Sequence, residues 1–349
     1  MRKVLIVRFS SFGDVVQALS LPSCIQQQWP DAEIHWVTRH DFQVLLQNHP
    51  AIKHLWTLDK KTGLLGLLKL AGVLRQQKFS HIYDAHNNLR SRLLCWILRP
   101  PLSFSGPRLL RRSIRRWKRF LLFQFRINLF QQPFSGQRDL LEPLQNWGLD
   151  IGAPPAPQLF LSNTTLNKVK NILQKSLQDQ KFIALAPSAA FVLKRWPVEH
   201  WKELIQNNPT LKFILLGGPE DVFLQEIAAV ASHRVFDFSG QLSLEESAAV
   251  VYFSQALVSN DTGLLHVAEQ LGKKAIALMG PAPFGFPSRP QTIILQKQLP
   301  CRPCSKHGQG PCVNKVHHEC LTHIFPVEVS EKLQTLLNKK TTADPVGIL

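Results

Sequence analysis

No stretch of this chain approaches the roughly 20 uncharged apolar residues that a helix needs to cross a bilayer. The apolar run nearest the start, Val4-Leu5-Ile6-Val7 between Lys3 and Arg8, is too short for the core of a signal peptide. The expectation is a cytoplasmic protein. Cysteine is scarce, with six in 349 residues, too few for a disulfide framework. Cys24 and Cys95 read as ordinary small core residues. The glycine fingerprint G-x-G-x-x-G is missing after the first strand pattern, so dinucleotide binding is not supported. No period of 20–50 residues recurs, which excludes a solenoid. Acidic residues are few: 24 Asp and Glu against 41 Lys and Arg leave a net charge of +17. Residues 85–138 contain no acid at all. An excess of this sign implies an anionic partner, namely nucleic acid, a membrane surface or a phosphorylated substrate.

What is present is 44% hydrophobic, enough for sizeable cores, and long enough for two domains. Residues 3–9 form an apolar run read as a buried strand, followed by the small-residue turn Ser10–Asp14 and an amphipathic run over 15–28. Strand, tight turn and helix in that order open an α/β domain with a parallel sheet. Strands are predicted at 33–37, 54–58 and 81–83, and helices at 63–77 and 89–98. Residues 152–157, with one Gly and three Pro in six positions, read as a linker. The pattern then restarts. Strands are predicted at 182–186, 212–216, 256–259 and 275–279, and helices at 164–178, 198–207, 221–231, 244–252 and 263–271. The division expected is 1–153, 154–340 and a loose tail, 341–349. Two α/β domains in tandem suggest a ligand cleft between them.

Five segments carry chemistry. Asp14 falls in the first turn of a helix that follows the first strand. There it reads either as a helix-capping carboxylate or as a general base facing a cleft. Asn260-Asp261-Thr262-Gly263, with His266 one turn later, reads as a cap over a buried histidine or as a phosphate site at a helix N-terminus. Ser188 and Ala189, followed by Lys194-Arg195-Trp196-Pro197, suit a diphosphate or form a solvated basic pair before a helix. Glu220, in Gly217–Asp221, accepts bonds from ribose hydroxyls or caps the next helix. The fifth segment is Cys301-x2-Cys304-x7-Cys312-x7-Cys320. It offers four thiolates for a structural zinc or a four-iron cluster, or is a thiol-rich loop without metal.

The acid-free block holds twelve basic residues, among them Arg90, Arg111, Arg112, Arg115 and Arg116, interleaved with Trp117, Phe120, Phe123 and Phe125. Such a segment suits an anionic membrane surface, or is a solvated loop. No recognised nucleic-acid module surrounds it, so nucleic acid is not the expected partner.

Together these stretches resemble glycosyltransferase family 9, the bacterial lipopolysaccharide heptosyltransferases, over nearly the whole chain. Ser10-Ser11-Phe12-Gly13-Asp14-Val15 is similar to the family's S-x-x-G-D-V. Tyr83-Asp84 through Arg90-Ser91 resembles D-x-Q-G-x-x-K/R-S, and Lys194–Trp201 resembles K-R-W-P-x-E-x-aromatic. Asp261-Thr262-Gly263-Leu264-Leu265-His266 is similar to D-[ST]-G-x-x-H, and Gly280-Pro281 to the G-P that follows. The chain departs from the pattern at His86-Asn87, which replace Gln-Gly. It also departs at Ala282, where Ser or Thr is common, and at Gln17, where His is frequent. The resemblance implies a GT-B fold, two Rossmann-like domains facing an interdomain cleft, with no catalytic cofactor. It implies ADP-L-glycero-β-D-manno-heptose as donor, bound in the C-terminal half by Ser188, Ala189, Lys194, Glu220, Asp261, Thr262, Gly263 and His266. It implies a lipid-linked inner-core acceptor, Kdo or heptose, on the N-terminal half. Inversion by single displacement would use Asp14 as base and Lys194 on the leaving group, at the inner face of the cytoplasmic membrane. The rivals are a family 9 transferase with another nucleotide sugar or acceptor, and a catalytically silent nucleotide-sugar-binding protein.

Overall fold

The computed structural model describes residues 1–100 and 106–338; the expected loose tail, 341–349, lies outside the described residues. Two all-parallel sheets occupy the two halves of the chain. The first is built from β1 (Lys3–Val7), β2 (Glu33–Arg39), β3 (His54–Leu58), β4 (His81–Asp84) and β5 (Arg108–Arg111), in the order β3-β2-β1-β4-β5. The second is built from β6 (Phe182–Ala186), β7 (Lys212–Leu215), β8 (Val235–Asp237), β9 (Ala256–Asn260), β10 (Ala275–Leu278) and β11 (Thr292–Leu295), in the order β11-β10-β9-β6-β7-β8. The central strands are buried almost throughout and mostly apolar because helices cover both faces. No helix or strand lies between Trp147 and Asn163. Among the described residues no helix is long and apolar enough to cross a membrane.

The strands absent from the sequence reading, β5, β8 and β11, all lie at sheet edges and are half exposed. Short edge strands lose the buried apolar signature that marks a central strand. The single helix expected over 15–28 is two, Phe12–Ala18 and Ser20–Gln28. Pro22 has no N–H to return to the Ala18 carbonyl, so the ladder breaks at Leu19. The helix expected over 221–231 is reduced to Leu224–Ala228 with a 3₁₀ turn after it. Asp221 is used instead to accept from the Gly218 N–H at 2.8 Å, holding the loop that follows β7.

One hydrophobic cluster runs through both halves, from Val4 and Ile6 through Val15 and Leu19 to Leu257, Leu265 and Met279. The seam is the pair of helices Phe12–Ala18 and Gly263–Leu271. A Cβ placed on Gly13 would lie 3.4 Å from the Gly263 Cα and 3.3 Å from the His266 ring. Gln17 bonds His266 across the seam at 2.6 Å, and Ser135 bonds Ser288 at 2.7 Å. The two sheets are thereby held with their C-terminal edges facing each other.

Candidate active site

In each sheet the chain reverses its direction of progress at one point, between β1 and β4 in the first and between β6 and β9 in the second. Loops diverge there and leave a crevice at the carboxyl ends of the strands. Asp14 follows β1 and His86 follows β4; Ser188 follows β6 and Thr262 follows β9. The motifs separated in sequence therefore converge on one cleft.

On the C-terminal side a cavity of about 640 Å³ is lined by Ser188, Ala189, Glu220, Thr262 and Gly263, all five expected as donor contacts. Arg195, Leu216, Gly218, Leu242, Ser243, Leu244 and Ser247 also line it, and Phe12 reaches in from the N-terminal half. The stretch 240–247 was missed in the sequence. Its signal was the capping box Ser243-x-x-Glu246, in which Ser243 Oγ accepts from the Glu246 N–H at 3.3 Å and Glu246 accepts from the Ser243 N–H at 2.7 Å. Thr262 caps the helix Gly263–Leu271 by accepting from the Leu264 N–H. The remaining free N–H groups of that first turn give the cavity a positive rim suited to phosphate. Buried Asn260 ties the parts together: its amide donates to the Pro187 carbonyl at 2.6 Å and its oxygen accepts from the Trp196 N–H at 3.1 Å.

Three residues expected at the donor site stand apart from that cavity. Lys194 is ion-paired with Asp261 at 2.6 Å, both nearly buried. His266 does not face the cavity. It is buried, with one ring nitrogen on Gln17 and the other 3.2 Å from Glu269, so it belongs to the seam between halves. Arg195 is likewise engaged, donating to the Ala189 carbonyl at 2.9 Å and lying 3.4 Å from Asp221.

Across the cleft, Asp14 Oδ2 accepts from the Ser11 hydroxyl at 2.7 Å and pairs with Arg8 at 2.8 Å. Burial alone would raise its pKa, but the charges of Arg8 and Arg112 and the bonds from Ser11 overcome this and pull it down to about 2. Arg8 is itself buried and donates to the Ala85 carbonyl at 2.6 Å, so it is fixed in place. His86 is pushed down to about 4, first by burial and then by the Arg8 charge, and is neutral at pH 7. The Asp84–Ser91 motif is a scaffold. The buried Asp84 carboxylate accepts from the N–H groups of His86 and Asn87 and from the Ser91 hydroxyl. Asn87 has φ of +56°, a conformation open to glycine and tolerated best after it by asparagine. Its departure from the family pattern therefore preserves the turn.

The five arginines expected to face a membrane do not act as one patch. Arg112 pairs with Asp139 at 2.7 Å, Arg115 pairs with Glu142, and Arg111 lies 3.8 Å from Asp84. The acids that neutralise them come from just outside the acid-free block. Arg90 and Arg116 are exposed. The helix Arg116–Phe125 turns Arg119, Leu122 and Phe123 inward, with Arg119 4.5 Å above the Phe284 ring of the C-terminal half. Its other face leaves Trp117, Phe120 and Phe125 half or more exposed.

Cys301, Cys304, Cys312 and Cys320 are all free thiols lining one small cavity. Among the described residues, no three of their sulphurs lie within 4.8 Å of one another, whereas the cluster Glu33, His35 and His54 meets that distance. That cluster does not suit a cation. Trp56 donates to His35 Nδ1 at 3.1 Å, so the ring proton sits on Nε2 and is given to Glu33 at 2.8 Å. Lys3, 3.3 Å away, already balances Glu33.

The model of glycosyltransferase family 9 (heptosyltransferase) matches residues 67–312. Lipopolysaccharide heptosyltransferase 2 of Escherichia coli K12 is 24% identical over 362 residues, covering 96% of this chain and 98% of that protein. A glycosyl transferase family 9 structure from Veillonella parvula superposes with a TM-score of 0.78 at 19% identity, covering 96% and 97% of the two chains. The structure of E. coli ADP-heptose lps heptosyltransferase II superposes with a TM-score of 0.72 at 22% identity, covering 96% and 98%. These superpositions identify the architecture as GT-B, two Rossmann-like halves facing a cleft.

Proposed function

Because the chain belongs to glycosyltransferase family 9 (heptosyltransferase), we propose that it moves a heptose from ADP-L-glycero-β-D-manno-heptose onto the lipopolysaccharide inner core, with Kdo or heptose as acceptor. The observation that carries the reading is the facing of an ionised carboxylate, Asp14, and an anion-ready cavity across one closed seam, with Gly13 in contact with Gly263. ADP fits the cavity physically. Leu216, Leu242 and Leu244 offer apolar surface to a base, Glu220 offers acceptors to ribose hydroxyls, and the rim at Thr262–Gly263 with Ser188 offers donors to the diphosphate.

The reaction is a single displacement that inverts the anomeric centre. Asp14 takes the acceptor hydroxyl's proton as that oxygen attacks. A carboxylate held near 2 by Arg8 is a weak base in the ground state. Its proton affinity rises as the acceptor loosens the Ser11 and Arg8 contacts. Charge grows on the departing ADP, and Lys194 stabilises it, drawn from Asp261 toward the diphosphate as that charge develops. The closed seam excludes water, the competing acceptor. The acceptor's lipid places the enzyme on the inner face of the cytoplasmic membrane. The surface that suits this contact is the exposed side of Arg116–Phe125, with Trp117, Phe120 and Phe125 beside Arg116 and Lys118.

The cysteines, four soft donors around one cavity, suit one structural zinc, whose binding would draw the sulphurs to tetrahedral spacing. Metal analysis of protein purified without added metal should give one zinc per chain. A colourless, metal-free protein with four titratable thiols would reject it, and absorbance near 400 nm would indicate iron–sulfur instead.

The deciding experiment incubates the protein with ADP-heptose and deacylated core acceptors and reads products by mass spectrometry. Addition of one heptose with release of ADP is expected. Donor binding without turnover on any core acceptor would favour the silent binding protein, and turnover only with another nucleotide sugar would reassign the donor.

A further inference from the structure

We propose that His307, carried on the cysteine-rich segment, is a further active-site residue that hydrogen-bonds the sugar being transferred; this rests on the ADP-sugar reading above. The segment is clamped against the cleft from several directions. Arg302 Nε donates to the Gly280 carbonyl at 2.9 Å, and the Cys304 N–H to the Pro281 carbonyl at 3.3 Å. His318 Nε2 donates to the Leu193 carbonyl at 2.9 Å, one residue from Lys194. From the other half of the molecule, Arg126 donates to the Pro303 carbonyl at 2.7 Å.

Clamped in this way, the segment makes a tight turn under Lys194. Ser305 Oγ accepts from the Gly308 N–H and donates to the Gln309 carbonyl, both at 3.0 Å. Gly308 has φ of +83°, and a Cβ there would lie 2.8 Å from Lys194 Cγ and 3.5 Å from Phe191 Cβ. The close approach sets His307 beside Lys194, with its ring centroid 6.4 Å from that of Phe191. The ring is exposed. The charges of Lys194, Arg119 and Asp14 all bear on it. Among the described residues neither ring nitrogen has a hydrogen-bond partner. Burial, then Lys306, Lys194 and Arg119, disfavour its protonation, with Asp14 opposing.

A neutral imidazole offers one donor and one acceptor, the complement of a sugar hydroxyl rather than of a diphosphate. His307 is not among the residues lining the cavity assigned to ADP. It stands beside Lys194 and within the influence of the Asp14 charge, and a heptose attached to the diphosphate must come close to both groups if Asp14 is to serve the attack on it.

Calorimetry with ADP and with ADP-heptose, without acceptor, tests this on wild type, His307→Ala and His307→Gln, with melting temperature and metal content as controls for folding. Both variants are expected to bind ADP as wild type does, and the alanine variant to lose about fivefold in affinity for ADP-heptose, the worth of one neutral hydrogen bond. Equal loss for ADP and ADP-heptose, or no loss for either, overturns the proposal. Wild-type protein that binds ADP but gains nothing from the heptose overturns the functional reading, and this one with it.

Discussion

Asp14→Asn separates what Asp14 does in chemistry from what it does for the fold, because the two effects have different partners. The amide keeps the shape and can still accept from Ser11, but it cannot take a proton. Loss of general-base assistance is expected to lower kcat by about 10²–10⁴, with ADP affinity unchanged. The same change strips Arg8 of its counter-charge. Arg8 is 5% exposed and Asp14 40%, so water solvates the carboxylate far better than the guanidinium. The cost of the orphaned cation is about 1–3 kcal/mol, below that of a fully buried broken pair. The variant should melt a few degrees lower. Its deficit should close in acid. A carboxylate with a depressed pKa stabilises the native state above its unfolded value near 4, and that contribution is lost as pH falls from there to about 2. The double variant Arg8→Gln, Asp14→Asn should recover stability, the uncompensated charge being gone, without recovering turnover. Transfer is followed by ADP release and stability by thermal melting. Asp14→Asn with wild-type kcat would refute the base assignment. A double variant no more stable than Asp14→Asn would refute the electrostatic account of the Arg8 pair.

Lys194→Ala should lower kcat more than it raises donor KM, since leaving-group charge peaks in the transition state, whereas Asp261→Ala should raise donor KM because Lys194 loses the 2.6 Å pairing that holds it in position. Steady-state kinetics check both, and unchanged values in both would dissolve the proposed donor site. Replacing Arg116 and Lys118 by Gln and Trp117 and Phe120 by Ser should abolish sedimentation with anionic liposomes while sparing turnover on a soluble acceptor. Equal sedimentation by variant and wild type at low salt would leave this helix face a solvated surface. Arg112→Gln and Arg115→Gln should instead lower melting temperature, because Asp139 and Glu142 lose their partners.

The central strands and the cleft were legible because burial on both faces leaves continuous apolar runs, and because turns at strand ends carry small residues and caps. Of the edge strands only β3 was, since half-exposed residues such as Arg108-Leu109-Leu110-Arg111 carry no such pattern. Local motifs revealed which residues cluster, but not what each one faces. His266 lies in the D-[ST]-G-x-x-H signature, yet its ring is spent on Gln17, 249 positions away. The arginine block shows the same limit. A run without acids looks like a free positive patch only until the fold brings Asp84, Asp139 and Glu142 against it. The docking of the cysteine-rich segment beside Lys194 depends on contacts with Leu193 and Gly280 that no spacing encodes.

Gly263 is where the two halves and the donor cavity meet, and Gly263→Ala tests whether they act together. Alanine at the first position of a helix carries no intrinsic penalty, and helix propensity slightly favours it. The packing opposes it: a Cβ at this position would lie 2.1 Å from Cδ1 of the Phe12 ring. Phe12 must therefore swing away. It lines the cavity assigned to ADP, and it begins the helix that presents Asp14 two residues later. Displacing it shifts both the cavity wall and the base. Overpacking of this kind costs about 1–3 kcal/mol where the neighbour cannot yield. A ring at the mouth of a cavity can yield, so stability should fall by less than that while function falls by more. The expected outcome is a raised donor KM together with a reduced kcat, at nearly unchanged melting temperature. A change in KM alone would mean that the cavity tolerates a moved ring and that the Asp14 turn is held by Arg8 and Ser11 without help from the seam. Wild-type kinetics would mean that the closed contact between Gly13 and Gly263 is not the geometry in which transfer occurs.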